Sequence, residues 1–504
     1  MSSTPSLPKP ERTLIGGSLE IPRMVSGLWQ LAGGHDEHID FAVAVKAMDS
    51  LISAGLSCFD MADHYGDAEL LIGEHHTRSK LNIKAFTKWC PPENGITSFE
   101  NAEKAIDLAM SRMSQRHIDL MQYHAWDYTD DTYIHNLNHL QRLQKQGKIE
   151  HIGVTNIDAA HLELLIDCGF TIATNQVSCS VIDRRAARGR LSSLCMQHGA
   201  KILAYGTLLG GYLSEKWLDQ PEPQDLPALN WSLRKYLRFI HAAGGWIAYQ
   251  GVLKALSTVA KEHNVTIAVV ATKYVLDLPA IGAVIVGSRL SGESGKYTAS
   301  NLAAFSFKLT EENLSLISKA QESLVDIPGD CGDEYRRAPY LTASGDLSHH
   351  LEKSEQDNKI AKAIREGRRI EFSSGSKWEP IAGYCRAVRT GNVIRVSGTT
   401  ANSPIASIPV LGGASARSQT VAILDIIART IQKLGGSLPN IVRTRIMIRH
   451  AEDCDEVSRA HGWVFEWVGI RPANTIVVSG LIGSEFLVEI EAEAELGFGK
   501  VLRI

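Results

Sequence analysis

The sequence predicts an α/β protein, a (β/α)8 TIM barrel followed by a smaller α+β domain, and three observations carry that prediction. Eight short apolar runs recur between residues 20 and 290, each followed by a longer segment of helical periodicity. Four polar residues, Asp60, Tyr65, Lys88 and His124, stand at or just past the ends of such runs, in SCFDMADHYG, IKAFTKW and IDLMQYHAWD. Residues so placed project from the carboxyl ends of buried strands, where a parallel barrel keeps its chemistry. Beyond a polar, Gly/Pro/Ser-rich stretch between Asp326 and Gly375, the strand and helix signals change in kind.

The opening TLIGGSLEIPRM sets a Gly-Gly turn between Leu14, Ile15 and Leu19, Ile21, a hairpin suited to plug the barrel floor. The eight strands are centred near Met24, Phe59, Phe86, Met121, Ile152, Ala173, Leu203 and Val284. Segments between them read as helices; in ENAEKAIDLAMSRMSQ, Ala102, Ala105, Ile106 and Ala109 fall on one face. An insertion from Ser214 to Gly245 breaks the rhythm before the eighth strand. Its WLDQPEPQDLP stretch is loop-like, and loops on this side of a barrel shape substrate access. The barrel domain is expected at residues 12–325, a linker with one short helix at 326–370, and the second domain at 371–504. In that domain GYCRAVRTGNVIRVSG reads as a hairpin, SQTVAILDIIARTIQKLGG as an amphipathic helix ended by glycines, and VRTRIMIRH as a strand. In the closing LVEIEAEAEL, Val488, Ile490, Ala492 and Ala494 alternate with Glu489, Glu491, Glu493 and Glu495. Arg443, Arg445 and Arg449 share a face of VRTRIMIRH, and the two charged faces either pair across neighbouring strands or are solvated independently.

Composition narrows the function. The 504 residues are 44% hydrophobic and 21% charged, ordinary for a globular protein with room for a core in each domain. A net charge of −4 without a dense Lys/Arg block gives no footprint for nucleic acid or an anionic membrane, so the expected partner is a small molecule. The eight cysteines, Cys58, Cys90, Cys168, Cys179, Cys195, Cys331, Cys385 and Cys454, form no CxxC pair, which points to a reducing compartment and to neither zinc nor disulfides. With no apolar leader in MSSTPSLPKPERTL and no transmembrane stretch, the expected location is cytoplasmic.

The four strand-end residues suit one reaction. A tyrosine, whose free pKa is about 10, becomes a general acid near neutrality when an ammonium beside it stabilises the phenolate. Lys88 is the candidate cation, and it keeps its charge in a buried site if Asp60 faces it. His124 is positioned to hydrogen-bond a carbonyl oxygen. Together they would deliver a proton during reduction of a C=O group by an external hydride. Singly, a buried Asp, Lys or His is more often structural than catalytic; four in this order on successive strand ends change that. Trp29, Trp89 and Trp126 follow strands and either line an aromatic substrate pocket or simply pack.

At these positions the chain resembles the aldo-keto reductase family, over residues 12–325. FDMADHYG is similar to that family's Asp and Tyr motif, FTKW to its lysine and DLMQYHAWD to its histidine, which implies a catalytic tetrad of Asp60, Tyr65, Lys88 and His124. GVTN, NQVS and AYGTLLGG resemble its nicotinamide-handling segments. The resemblance implies Thr155, Asn156 and Gln176 on a carboxamide, Tyr205 against the ring, and Leu208 through Gly210 and Gly211 near a pyrophosphate. In VGSRLSGESGKYTASNL, Ser288, Arg289 and Asn301 fit the adenosine end, with Lys296 in place of the usual basic residue, and NADPH (NADP+) is favoured over NADH.

From residue 371 onward the chain resembles the Rid (YjgF/UK114) family, implying a chorismate-mutase-like fold, a trimer, and hydrolysis of reactive enamines and imines. Active members carry a Pro-Ala-Arg motif that grips a carboxylate; here it is Pro472-Ala473-Asn474, and an amide has neither the charge nor the fork. Arg471 is nearby but points elsewhere if this segment is extended, because neighbouring strand residues face opposite ways. Ordinary deaminase activity is therefore not expected. Tyr384, Thr399 and Glu489 either line an intersubunit cleft or belong to a trimerisation module.

The function expected first is NADPH-dependent reduction of an aldehyde or ketone with Tyr65 as acid. A reductase joined to an imine-handling domain raises a second possibility, reduction of a C=N bond in specialised metabolism. A third is a non-catalytic, cofactor-sensing or structural assembly.

Overall fold

The computed structural model describes residues 7–32, 40–91, 98–125, 128, 131–288, 290, 297–336 and 355–497. Arg12–Ile15 (β1) and Leu19–Pro22 (β2) form an antiparallel hairpin. Eight parallel strands follow: Met24–Gly27 (β3), Cys58–Asp60 (β4), Lys84–Trp89 (β5), Ile118–His124 (β6), Ile149–Thr155 (β7), Thr174–Ser178 (β8), Lys201–Tyr205 (β9) and Ile281–Gly287 (β10). They close into a barrel in chain order, β10 pairing with both β9 and β3.

The expected floor plug is present. Ile15, Leu19 and Ile21 are buried in one cluster with Val25, Cys58, Phe86, Leu120, Leu203 and Ile285 inside the barrel. Strand alternation then fixes what reaches the upper layer. With Phe86 inside, Lys88 is inside too, while Ala85 and Trp89 belong to the layer between strands and helices. Asp60, Gln122 and Gln176, from alternate strands β4, β6 and β8, meet in the interior, the arrangement expected of a barrel layer. Gly153 on β7 makes room for it: a Cβ there would lie 2.2 Å from Thr174 Oγ1 and 3.1 Å from Gln122 Cγ.

Helices around the barrel start where short polar side chains satisfy their first N–H groups. Asp40, Ser98, Asp158, Asn230 and Thr310 each accept from backbone amides one turn on. The Ser214–Gly245 insertion keeps an irregular first half but ends in a helix, Trp231–Ala242, whose buried Leu237, Phe239 and Ile240 join a second core cluster. The stretch read as linker from Asp326 begins differently from that reading. Ile327, Cys331, Asp333, Glu334 and Tyr335 are buried against the barrel mouth.

The second domain is a six-stranded sheet from Ile370–Phe372 (β11), Ala387–Thr390 (β12), Val393–Thr400 (β13), Ile441–Ile448 (β14), Ala473–Val478 (β15) and Val488–Glu495 (β16), in the order β11-β12-β13-β16-β14-β15. The two charged strands are neighbours: Arg443 lies opposite Glu493 and Arg445 opposite Glu491, the latter pair 3.4 Å apart. Arg449 lies past the strand end and donates to the Phe486 and Leu481 carbonyls. Helix Ala416–Lys433 buries Ile423, Ile427 and Ile431 in the core. The same helix docks on barrel helix Ala159–Asp167 through Arg417–Glu163 (3.1 Å), Ser418 Oγ to Asp167 (2.7 Å) and His161–Asp425 (2.9 Å). Among the described residues no helix is long and apolar enough to cross a membrane.

Candidate active site

The carboxyl ends of the barrel strands open into a cavity of about 630 Å³. Asp60 ends β4, His124 ends β6, Thr155 ends β7 and Tyr205 ends β9; Lys88 stands one residue before the end of β5 and Gln176 within β8. Tyr65 lies on the loop between β4 and helix Ala68–Arg78. All of them line this cavity, as do Trp29, Leu208, Gly210, Ser288 and Asn301. The predicted tetrad is thus brought together.

Lys88 is buried and donates to Asp60 Oδ2 at 2.6 Å and to the Met61 carbonyl at 2.7 Å. The other Asp60 oxygen accepts from Gln122 (2.9 Å) and Gln176 (2.8 Å), and Gln176 also donates to Gln122 Oε1 at 2.9 Å. A buried ion pair needs this kind of saturation, because each ion loses several kcal/mol of hydration. Lys88 Nζ lies 5.0 Å from the centre of the Tyr65 ring, and the Tyr65 hydroxyl has no hydrogen-bond partner among the described residues. The expected effect of Lys88 on the phenol is outweighed in this state. Burial, then the Asp60 carboxylate, pushes the Tyr65 pKa well above 10 and keeps the hydroxyl protonated.

His124 moves the other way. Burial, then the charges of Arg336, His64, Lys88 and Lys235, lower its pKa well below 6.5, so the ring is neutral. Asn156 Nδ2 lies 3.2 Å from His124 Nε2, and Tyr205 donates to Asn156 Oδ1 at 2.9 Å. Asn156 sits at φ +55°, a left-handed conformation that costs a non-glycine residue about 1–3 kcal/mol. The surroundings hold it there: its N–H donates to the Gln176 carbonyl at 2.8 Å and its own carbonyl accepts from Arg336. The Thr155 Oγ1 is buried without an intramolecular partner among the described residues. At Gly210, φ +65°, a Cβ would press on Tyr236 and Ser232 of the insertion helix at 2.9 and 3.0 Å.

One substrate-pocket expectation changes and another lies outside the described residues. Trp89 does not line the cavity: as the strand neighbour of inward Lys88 it points outward and packs edge-on against Tyr123, centroids 5.8 Å apart. Trp126, with Arg289 and Lys296 of the expected adenosine end, lies outside the described residues. Five lining or supporting residues lie outside the sequence-based expectations. Gln122 was visible in DLMQYH as a polar residue at the inward parity. Lys235 and Tyr236 sit on an insertion helix whose SLRKYLRFI carries a helical apolar period. Tyr335 and Arg336 follow a Gly-rich stretch with no period, and no local signal ties them to the barrel mouth.

In the second domain, Thr399 is buried and accepts from Arg386 at 2.9 Å, while Tyr384 is exposed. Burial, then Glu491, raises the Glu489 pKa. Asn474 donates to Thr444 Oγ1 at 2.8 Å, a hydroxyl that also lies 3.0 Å from His461 Nε2.

Comparison with known proteins agrees with both halves of this architecture. Residues 23–322 match the model of the aldo/keto reductase family, and residues 375–496 match the model described as Endoribonuclease L-PSP, to which Rid proteins belong. An aldo-keto reductase of Strobilurus tenacellus, str7, is 28% identical over 323 residues, 62% of this chain and 90% of its own. An uncharacterized protein of Streptomyces coelicolor is 36% identical over 131 residues, 26% of this chain and 92% of its own. The structure of a glycerol dehydrogenase from Gluconobacter oxydans superposes with a TM-score of 0.50 at 18% identity, covering 63% of this chain and 97% of that one. With a family model spanning more than half of its length, a closed parallel barrel and these strand-end residues, the chain belongs to the aldo/keto reductase family of oxidoreductases and carries a Rid-type domain behind its barrel.

Proposed function

We propose that this protein reduces an aldehyde or ketone with NADPH, Tyr65 acting as the general acid. The observation that carries this reading is the buried Lys88–Asp60 pair beneath Tyr65 and His124 at one end of the 630 Å³ cavity. NADPH, when bound, supplies the hydride. The residues present fit it: Thr155 offers a buried hydroxyl with an open valence, Asn156 and Gln176 offer amides, and Leu208 to Gly211 form a loop with three positive-φ residues, Leu209, Gly210 and Gly211. Ser288 and Asn301 line the same cavity.

In this reaction the Tyr65 hydroxyl gives its proton to the developing alkoxide, and the fixed Lys88 ammonium offsets the phenolate left behind. His124, neutral, donates from Nε2 to the carbonyl oxygen. That tautomer requires Asn156 to present Oδ1 in place of Nδ2. Asp60, saturated by Lys88 and two glutamines, holds the ammonium in place and takes no proton itself.

The docked Rid-type domain favours one second reading, a C=N substrate. Asn474, tied to Thr444, gives that domain no arginine fork of its own. Its role would then be to hold or shield an imine that the barrel reduces. Initial rates of NADPH oxidation by the full-length protein across matched carbonyls and cyclic imines test both. Preferential turnover of carbonyls supports the first reading, preferential turnover of imines the second, and no turnover of either contradicts both.

A further inference from the structure

Lys235 is unlike the other buried cations of the barrel. It is 8% exposed, lines the cavity, and stands on the insertion helix Trp231–Ala242. Among the described residues its ammonium makes one hydrogen bond, to the Tyr335 hydroxyl at 2.7 Å. Among the described residues no carboxylate comes within ion-pair distance of it. Lys88 has Asp60 at 2.6 Å, Arg184 has Asp326 at 2.7 Å and Arg185 has Asp183 and Glu334, each at 2.7 Å.

Four aromatic rings surround the ammonium: Tyr205 and Tyr335 centroids at 5.3 Å, Tyr236 at 5.6 Å and Trp29 at 5.8 Å. Rings at that range soften the loss of water without using N–H donors. The Asp183–Arg185–Glu334 cluster behind Tyr335 carries two carboxylates to one guanidinium, so it favours the charge from a distance. Burial alone would lower the lysine pKa, but Tyr335, Tyr236 and Glu334 turn the balance upward and keep it protonated. The result is a positive charge on the cavity wall with no hydrogen-bond partner but Tyr335 among the described residues.

Its position places it at the reacting end. The Tyr335 ring stands edge-on to His124, centroids 5.7 Å apart, and its hydroxyl is 3.2 Å from that of Tyr205. The assembly is rigid on both sides. Glu334 is locked by Arg185, Arg336 donates to the Asn156 and Ala125 carbonyls, and Asn230 caps the helix bearing Lys235.

We propose that Lys235 recognises an anionic group, a carboxylate or phosphate, carried by the substrate beside its reacting carbonyl. This rests on the reductase reading above. A buried ammonium with no counter-ion among the described residues is costly, and a ligand that supplies the opposite charge recovers that cost on binding. The competing role is a clamp that only holds Tyr335 over the cavity. A clamp needs only the one bond already made and gives no reason for the charge to line the cavity among four rings.

The test uses the full-length protein, its Lys235→Met and Lys235→Arg variants, and two probes, 4-carboxybenzaldehyde and its methyl ester. Dissociation constants come from isothermal titration with and without NADP+, KM values from NADPH oxidation, and a thermal melt checks each variant for folding. The wild type should prefer the acid over the ester by about tenfold or more, Lys235→Met should bring that ratio within about twofold of unity, and Lys235→Arg should keep most of it. A wild type without the preference, or a Lys235→Met variant that retains it, overturns the proposal. So does a variant that instead weakens NADPH binding while the acid-to-ester ratio stands, since the cofactor phosphates would then be the anion. If the acid binds in a Lys235-dependent way but neither probe oxidises NADPH, the anion site stands and the reductase reading falls.

Discussion

Lys88 and Asp60 are worth more to the site than to the fold, yet neither can be removed alone. Deleting one member of a buried pair strands the other without its counter-charge, at about 3–5 kcal/mol. Lys88→Met should therefore lower the unfolding free energy by about that amount in denaturant titration, and Lys88→Met with Asp60→Asn should lose less than the two single changes summed. A strictly additive double variant would show that the pair does not couple. The neighbouring pKa shifts set the pH behaviour of the reaction. Tyr65 must be protonated to act, and burial and Asp60 raise its pKa, so the acid form persists above its ordinary range. His124 is lowered and stays neutral, so its ordinary transition near pH 6.5 is absent. The kcat/KM for reduction should be flat between about pH 6 and 9 and fall only in the alkaline limb. An inflection at the ordinary histidine value would contradict the neutral-ring assignment.

At the scale of elements, the contact between helices Ala159–Asp167 and Ala416–Lys433 contains a buried charge. His161 lies between Asp158 (2.8 Å) and Asp425 (2.9 Å) and stacks on Tyr128 at 3.5 Å. Burial opposes its charge, but the two carboxylates prevail and raise its pKa to about 9. The folded value exceeds the unfolded one, so this contribution is fully present below about pH 6.5 and is lost as pH rises through about 9. The shift corresponds to an order of about 3 kcal/mol. Thermal unfolding followed from pH 6.5 to 9 should show a decline that Asp425→Asn flattens; an equal decline in that variant would place the pH sensitivity elsewhere.

The same elements show what was legible in the sequence. Asp60, Tyr65, Lys88 and His124 could be read because each sits at the end of a short apolar run, where strand parity fixes the direction of its side chain. Parity also explains why Trp89 packs rather than lines the cavity: a residue next to inward Lys88 has to face outward. Lys235 and Tyr335 are 100 residues apart, and His161 and Asp425 are 264 apart. Contacts of that kind are made by packing, and no local period records them.

Across the whole molecule, the barrel supplies the chemistry and the second domain covers one flank of it, leaving its own sheet with Arg395, Arg443 and Arg445 set among Glu489, Glu491 and Glu493. At the edge strand β15 and just beyond it, Val478 is 60% and Ile482 93% exposed. An alternating charged face beside an open apolar edge is suited to self-association, in line with the trimer that the Rid resemblance implies. Light scattering should give a mass near three times the 55.1 kDa of one chain. Ile482→Asp with Val478→Lys should shift it toward one copy, and a monomeric wild type would end that expectation.

The role of Tyr65 is decided by NADPH oxidation by the full-length protein and by Tyr65→Phe on the best carbonyl substrate, under saturating cofactor. Loss of the acid should reduce kcat by about 10²–10⁴-fold while NADPH binding is retained. A Tyr65→Phe variant that turns over at the wild-type rate would contradict the assignment of Tyr65 as the proton donor and, with it, the reductase mechanism built on the Lys88–Asp60 pair.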